Sequence, residues 1–553
     1  MTSDSPNNRL SRRLVLVGGA AAIGTLVAGP EIPGAVAQTA TPRARRGQAI
    51  VGYSQEPTVF NPLMPGNEVD QGIWWNLFST LWIIDPAGKP FPVLAREVPS
   101  LENGGLSTDG LSWKVKLRDD VTWHDGTPFT AEDVKYTIEL IKNPNFRVPS
   151  RLGHKLVTDI VIEDAHTISW RMSEPFAPYV SMLAWMFVVP KHILGQAPDP
   201  NTASFNTAPI GTGPFKWVER VTGDHVTLTA NTGYFGSGPF LERLVFKYIP
   251  DLNVMFTQFR TGEIDYIGLQ GITSDHYAEA KTLKDRTIYV CPRASVENLT
   301  LNLAHPCLKD KMVRQALYYG MDKKSIIEAI YYGLPKSAES YLPEENWAFN
   351  SGLPPHEYDP DKARKILDEA GWQLGADGIR TKNGLRLEFS NSTTTGNQIR
   401  EQAQQLLVQD WGKIGVSFKI NNMPAAVLWD KFWAESKFDS LMTNTTYTIA
   451  SDPDVTHRFG SHSIPLKAGS GSNVAQFENA TVDTLLAEGI RDTTPTARKA
   501  AYVEVQSIIR DELPFLPLFQ GVQIEGTKTG LMGFRNNVNV NSNTWNAAEW
   551  YWA

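Results

Sequence analysis

Ten histidines, two cysteines and 59 acidic residues are the groups from which this 553-residue chain could build a catalytic or metal centre. Their spacing argues against most such centres. The chain has no CxxC, no HExxH and no His/Cys cluster at ligand spacing, so neither a structural nor a catalytic zinc is expected. No GxSxG elbow marks a hydrolase nucleophile. His124, in Trp123-His124-Asp125-Gly126-Thr127-Pro128-Phe129, invites a metal or catalytic reading. With Asp125-Gly126 behind it in a tight turn, a structural hydrogen bond is the better account. Gly211-Thr212-Gly213 suggests a phosphate cradle, but no third glycine, lysine or following helix N-terminus completes one, and the segment reads as a tight interdomain connection. Cys291 and Cys307 leave a disulfide and two buried thiols equally open.

The remaining chemistry is that of binding. Sixteen Trp, 17 Tyr and 24 Phe could line a cleft, although large cores in a large protein explain them as well. The net charge of −7 is spread without acidic or basic blocks, which excludes a nucleic-acid footprint and a polybasic membrane patch. The composition, 42% hydrophobic and 20% charged, is that of an ordinary folded protein, and the length exceeds what one core supports, so two or three domains are expected. At the N-terminus, Arg12-Arg13, the apolar run from Leu14 to Ala28 and Ala35-Val36-Ala37 read as an export signal cleaved before Gln38. Ser11-Arg12-Arg13-Leu14-Val15-Leu16 resembles the twin-arginine type. The leader holds no Cys, so no lipid anchor is expected and the mature chain is placed in a periplasm.

Elements that could position a site alternate between strand and helix, the pattern of α/β lobes. Residues 48–54 read as a strand followed by the proline-bounded loop Glu56-Pro57-Thr58-Val59-Phe60-Asn61-Pro62. Apolar residues from Gly72 to Ile84 recur at helical spacing. Residues 111–118 alternate as a half-buried strand, and Thr130-Ala131-Glu132-Asp133 opens a helix with a cap and first-turn acids. Strands are expected at 167–172, 215–221, 226–230, 264–267 and 299–303, and helices at 251–261, 311–320, 359–370, 397–412, 482–490 and 495–511. Residues 513–519 return as an extended segment.

In combination these segments resemble the large solute-binding proteins of peptide, nickel and oligosaccharide ABC importers (solute-binding family 5). The likeness is carried by Trp113-Lys114-Val115-Lys116-Leu117-Arg118 with residues 123–134, by Gly211-Thr212-Gly213-Pro214-Phe215, by Leu301-Asn302-Leu303 with Asp310–Leu317 and Met321-Asp322-Lys323, by Tyr358–Ala363, and by Ser461-His462-Ser463-Ile464-Pro465. The resemblance implies a periplasmic binding protein-like α/β fold of two lobes joined by a two-crossing hinge, with an extra domain inserted in the first lobe. Lobe I would comprise 45–88, 208–290 and 520–553, the inserted domain 89–207 and lobe II 291–519, with crossings near Cys291 and Phe519. It also implies a monomer without cofactor or catalysis that captures a small solute and hands it to a membrane permease and ATPase complex. In peptide-holding members an Asp three residues ahead of an acidic-Pro pair binds the solute's ammonium; here the pair is Asp452-Pro453, Ile449 stands at that position and Thr446 replaces a Trp. An ammonium buried without a counter-charge is costly, so the departure tilts toward a neutral or polyhydroxylated solute, an oligosaccharide or opine-like conjugate, unless Asp452 or Glu56 substitutes. Candidate contacts are Tyr53, Glu56, Trp347, Trp429, Asn444, Tyr447 and Asp452; as the alternatives, Trp429 would be core, and Asn444 and Asp452 would make turns. A secreted hydrolase and a sensory or chaperone-like protein on the same fold are the rival readings.

Overall fold

The computed structural model describes residues 44–447, 451–469 and 471–553. The expected leader, 1–37, and Ile449 lie outside them. Apolar side chains sort into cores that do not mix. One set draws its buried residues from 49–280 and again from 524–550, the other from 296–519. A chain that leaves one core and returns to it after building another makes two α/β lobes.

Among the described residues ten strands nevertheless form one continuous sheet, in the order 417–420, 388–392, 440–445, 286–301, 515–528, 266–272, 48–53, 243–248, 225–230, 215–221. Its middle is the antiparallel pair Arg286–Leu301 and Phe515–Lys528, the two segments that pass from one set of cores to the other. Their ladder is regular from Arg286 to Pro292 against Lys528 to Val522 and resumes at Val296 opposite Gln520, with an irregularity between. Pro292 has no backbone N–H to donate, and a ladder that loses a donor bends there. The break falls where one core gives way to the other.

Several expected elements match closely: Gln48–Tyr53, Thr167–Met172, Lys311–Tyr319, Gln398–Gly412 and Pro495–Glu512 lie within a residue or two of the sequence reading. The helix expected over Gly72–Ile84 differs. It runs Glu68–Leu77, Phe78 is extended, and Trp82–Ile84 is a strand paired with Pro90–Pro92. The cause is tertiary: the Leu77 carbonyl accepts from Gly213 N at 2.9 Å, and a Cβ at Gly211 would lie 1.8 Å from that same oxygen. The glycine loop is thus a close backbone approach that ends the helix. His124 holds the loop from the other side, its Nδ1 accepting from Gly211 N at 3.1 Å and its Nε2 facing the Gly213 carbonyl at 3.0 Å. Burial lowers its pKa to about 4, so the ring is neutral and structural.

The insertion contributes a three-stranded sheet, with Thr167–Met172 between Ser112–Lys116 and Val157–Asp164, covered by helix Ala131–Lys142. Trp113 and Trp170 stack at 5.9 Å across neighbouring strands, each with its edge or face on Tyr179, and the group packs into the first lobe's core.

Beside the ladder break, Glu525 on the second crossing strand is fully buried. Asn543 Nδ2 donates to it at 2.7 Å, Gln523 Nε2 also donates, and the Cys291 thiol approaches at 3.7 Å. Burial pushes its pKa up to about 7 against those hydrogen bonds. The unfolded chain releases this proton near 4.5, so the folded state binds the extra proton between about pH 4.5 and 7, and unfolding free energy falls as pH rises through that window. Chemical denaturation of Glu525→Gln is therefore expected to match wild type near pH 4 and to exceed it above pH 7, by on the order of 2–3 kcal/mol; equal curves at both pH values contradict the assignment.

Candidate ligand-binding cleft

The crossing strands form the floor of a cavity of about 510 Å³ whose walls come from both lobes. Arg293, Ser295 and Glu297 rise from the first strand, Gly521 and Gln523 from the second. Glu68, at the start of the first lobe's helix Glu68–Leu77, closes one side, and Asn397 and Arg400 of helix Gln398–Gly412 close the other. The alternation of a strand explains the placement: odd-numbered 293, 295 and 297 share one face. Gly521 packs against Ser295: a Cβ there would lie 2.4 Å from Ser295 Oγ, which would have to turn away.

Charge in this cavity is internally matched. Arg293 pairs with both oxygens of Glu68 and donates to Gln523 Oε1 at 2.6 Å. Arg400 grips Glu297 with two parallel bonds, Nε to Oε1 at 2.6 Å and Nη2 to Oε2 at 3.1 Å. Such bidentate pairs are rigid and leave amide and hydroxyl groups as the free donors and acceptors.

Asn444 and Thr446 also border a second cavity, about 390 Å³, that extends into the second lobe. Its walls are aromatic. Tyr447 stacks on Phe459 at 5.5 Å and lies 5.0 Å from Phe515, while Trp429 and Trp433, one turn apart, line the space with ring centroids 6.5 Å from each other. Trp429 is 48% exposed, on a distorted helical turn, Leu428–Phe432. Arg458 is the one cation in this lining.

The seven candidate residues thus fall into three groups. Trp429, Asn444 and Tyr447 meet at the second cavity. Trp347 and Asp452 lie at a separate contact between the lobes, where Asp452 pairs with Arg498 Nη2 at 2.7 Å and the Arg498 guanidinium lies 5.5 Å from the Trp347 ring. Tyr53 and Glu56 stay within the first lobe. The Tyr53 hydroxyl is buried against Ser542 at 3.1 Å and Thr544 at 3.4 Å. Glu56 accepts from Arg220 and from Gly223 N, and these bonds hold its pKa below the usual range. The sequence reading missed Glu68, Arg293, Glu297 and Arg400. A signal existed: Arg293 and Glu297 are charges at same-face spacing within the strand Arg286–Leu301. Cys291 and Cys307 are two free, buried thiols, the latter donating to the Arg386 carbonyl at 3.2 Å. No group of three or more His, Cys, Asp or Glu able to hold a metal occurs among the described residues.

The rim opposite the crossing strands is shut. Ala177 N donates to the Ile490 carbonyl at 2.7 Å, Ser181 Oγ to Asp452 Oδ2 at 3.4 Å and Ser451 Oγ to the Asn539 carbonyl at 3.4 Å, each across the lobe boundary. Asp454 lies behind this contact; burial first, and the neighbouring Asp452 charge, raise its pKa to about 6. Asp452→Asn leaves Arg498 buried without its charge partner and is expected to lower unfolding free energy by about 3 kcal/mol, with most of it recovered in Asp452→Asn/Arg498→Met. Additive losses in denaturant titrations rule out the coupling.

The comparisons agree with this geometry. The family model of the bacterial extracellular solute-binding proteins, family 5 Middle, matches residues 89–464. The oligopeptide-binding protein AppA of Bacillus subtilis is 28% identical over 485 residues, covering 86% of each chain. The structure of AppA in complex with a nonapeptide superposes with a TM-score of 0.73 at 25% identity, over 92% of this chain and 100% of that one. NikZ from Campylobacter jejuni in complex with Ni(L-His) superposes with a TM-score of 0.74 at 28% identity, over 91% and 99%. A cleft floored by two crossing strands and a family match over most of the chain lead to one conclusion: the protein belongs to family 5 of the bacterial extracellular solute-binding proteins, and it is a binding protein, not an enzyme.

Proposed function

We propose that this chain is the periplasmic substrate-binding subunit of an ABC importer, exported by a twin-arginine leader and cleaved near Ala37, which delivers a small solute to a membrane permease and its ATPase. The carrying observation is the cavity of about 510 Å³ walled by both lobes over the crossing strands. A solute that touches both walls stabilises the closed form by contacts absent from the open one, and this difference in affinity is what drives closure. The permease then reads the closed shape. The lobes on this reading are 45–88 with 208–290 and 520–553, the insertion 89–207, and 291–519. No described helix is long and apolar enough to cross a membrane.

The same scaffold holds a nonapeptide in AppA and a nickel–histidine complex in NikZ, so the fold alone does not name the solute. Four cleft or candidate carboxylates are already engaged: Glu56 with Arg220, Glu68 with Arg293, Glu297 with Arg400 and Asp452 with Arg498. A peptide presenting a free ammonium finds no spare counter-charge among them. This supports a solute without an exposed cation, an opine-like conjugate or oligosaccharide ahead of a peptide held by its N-terminus.

Native mass spectrometry of protein exported by its own host is expected to show one retained small molecule, released on unfolding. Adding that molecule back to refolded protein should reduce the radius of gyration in X-ray scattering, and deleting the gene should abolish its uptake. Unchanged uptake in the deletion strain, or turnover of esters, glycosides or peptides by the purified protein, refutes the transport reading.

A further inference from the structure

Arg458 stands out among the charged residues of the clefts. It lies on the short helix Thr456–Phe459 and lines the aromatic cavity of the second lobe. Its guanidinium has no hydrogen bond and no ion pair among the described residues, and Nε is shielded from solvent without a partner. Every other cation of the two cavities, Arg293 and Arg400, is gripped by a carboxylate. The adjoining segment Thr448-Ile449-Ala450 carries no acid that could supply one. Burial lowers the Arg458 pKa, and Tyr447 opposes that shift. That phenol is itself held neutral by burial. His457 beside it is neutral as well, its pKa brought down to about 4 by burial first and then by the Arg458 charge.

An arginine keeps its charge in any protein environment, so one that is half withdrawn from water and unpaired is a standing cost to the fold. Replacement by an apolar residue of similar volume would relieve it. A charge retained at such cost, at the wall of a cavity, suits an anion that arrives from outside. The cavity limits which anion. Trp429, Trp433, Tyr447 and Phe459 present ring faces and edges, and Asn444 and Thr446 form the border shared with the interlobe cavity. Aromatic walls suit a flat or apolar body, and the planar guanidinium suits a carboxylate, which it can engage with two parallel bonds.

We propose that Arg458 anchors a carboxylate of the captured solute, whose apolar portion lies between the aromatic side chains of the second-lobe cavity while the rest of the molecule extends past Asn444 and Thr446 into the interlobe cleft. The inference rests on the capture reading and deepens it. The carboxylate could be the C-terminus of a short peptide or the acid group of a non-peptide conjugate; the chemistry at Arg458 is shared.

The test uses the full mature protein, as wild type, Arg458→Gln and Arg458→Lys, with four probes: phenylacetate, phenylacetamide, the dipeptide Ala-Phe and its C-terminal amide. Binding is read from quenching of tryptophan fluorescence and from the melting temperature. Each acid is expected to bind wild type roughly ten- to hundredfold tighter than its amide, the span of one charge-assisted contact. Arg458→Gln abolishes the preference and Arg458→Lys keeps part of it. Ala-Phe outcompeting phenylacetate assigns the carboxylate to a peptide C-terminus, and the reverse order assigns it to a non-peptide acid. Unliganded Arg458→Gln should melt no lower than wild type, since it removes an uncompensated charge; a drop of several degrees identifies a structural arginine and overturns the proposal. Equal binding of acid and amide, absence of acid binding at millimolar concentration, or an acid preference that survives Arg458→Gln also overturns it. These outcomes are separable from the capture reading: a neutral solute retained equally by wild type and Arg458→Gln removes the anchor and leaves capture standing, whereas loss of solute-linked compaction and of the uptake defect removes capture whatever Arg458 does.

Discussion

Two antiparallel strands, Arg286–Leu301 and Phe515–Lys528, carry the chain between cores that share no buried residue. Their pairing is continuous enough to fuse both halves into one sheet and irregular enough, between Pro292 and Val296, to give the sheet a place to flex. Hinges of this kind depend on a few terminal residues absorbing backbone rotation while the packed bodies stay rigid. Because cores are close-packed and resist deformation, motion concentrates where the ladder is interrupted. Arg293, Ser295 and Glu297, at that interruption, are the first crossing strand's contribution to the cavity between the lobes.

Electrostatics around the hinge follow one rule: buried charge is held in pairs. Arg293 with Glu68 links the crossing strand to the first lobe, Arg400 with Glu297 links it to the second, and Arg498 with Asp452 braces the second lobe's side of the far rim, where Ser181 of the first lobe donates to Asp452. Pairs of this type add little net stability over apolar packing but penalise the loss of either member, so they specify one arrangement of the lobes. Glu525 is one exception, a carboxylate below the hinge kept protonated to near neutrality by burial, and Arg458 in the second lobe is another, a cation with no ion pair among the described residues. The two exceptions differ in kind. Glu525 is sealed among protein donors, whereas Arg458 faces open volume.

Local patterns in the sequence were readable wherever the physics was local. Asp251, Asp310, Asp359 and Asn397 each accept from the first turn of the helix they precede, and those four helices start within a residue of the sequence reading, whereas the helix that Asn479 caps starts at Ala480, two residues before the expected 482. Strict alternation located Ser112–Lys116 and Thr167–Met172. The reading failed at Gly72–Ile84, where apolar residues run on at helical spacing but a loop some 130 residues later takes the Leu77 carbonyl; helical periodicity and core burial look alike when both faces of a segment are buried.

The sequence by itself determined the alternation of strands and helices, the need for more than one core, and the absence of the motifs that metal or nucleophilic chemistry requires, because each depends on residue type and near-neighbour spacing. Which polar side chains face solvent, each other or a cavity was decided by tertiary structure alone. Tyr53, Glu56 and Asp452 are by type equally suited to touch a solute, yet they are turned toward Ser542, Arg220 and Arg498, partners 489, 164 and 46 positions away. Arg458 is indistinguishable in sequence from any surface arginine. Only the folded chain places it at the wall of an aromatic cavity, with no ion pair among the described residues.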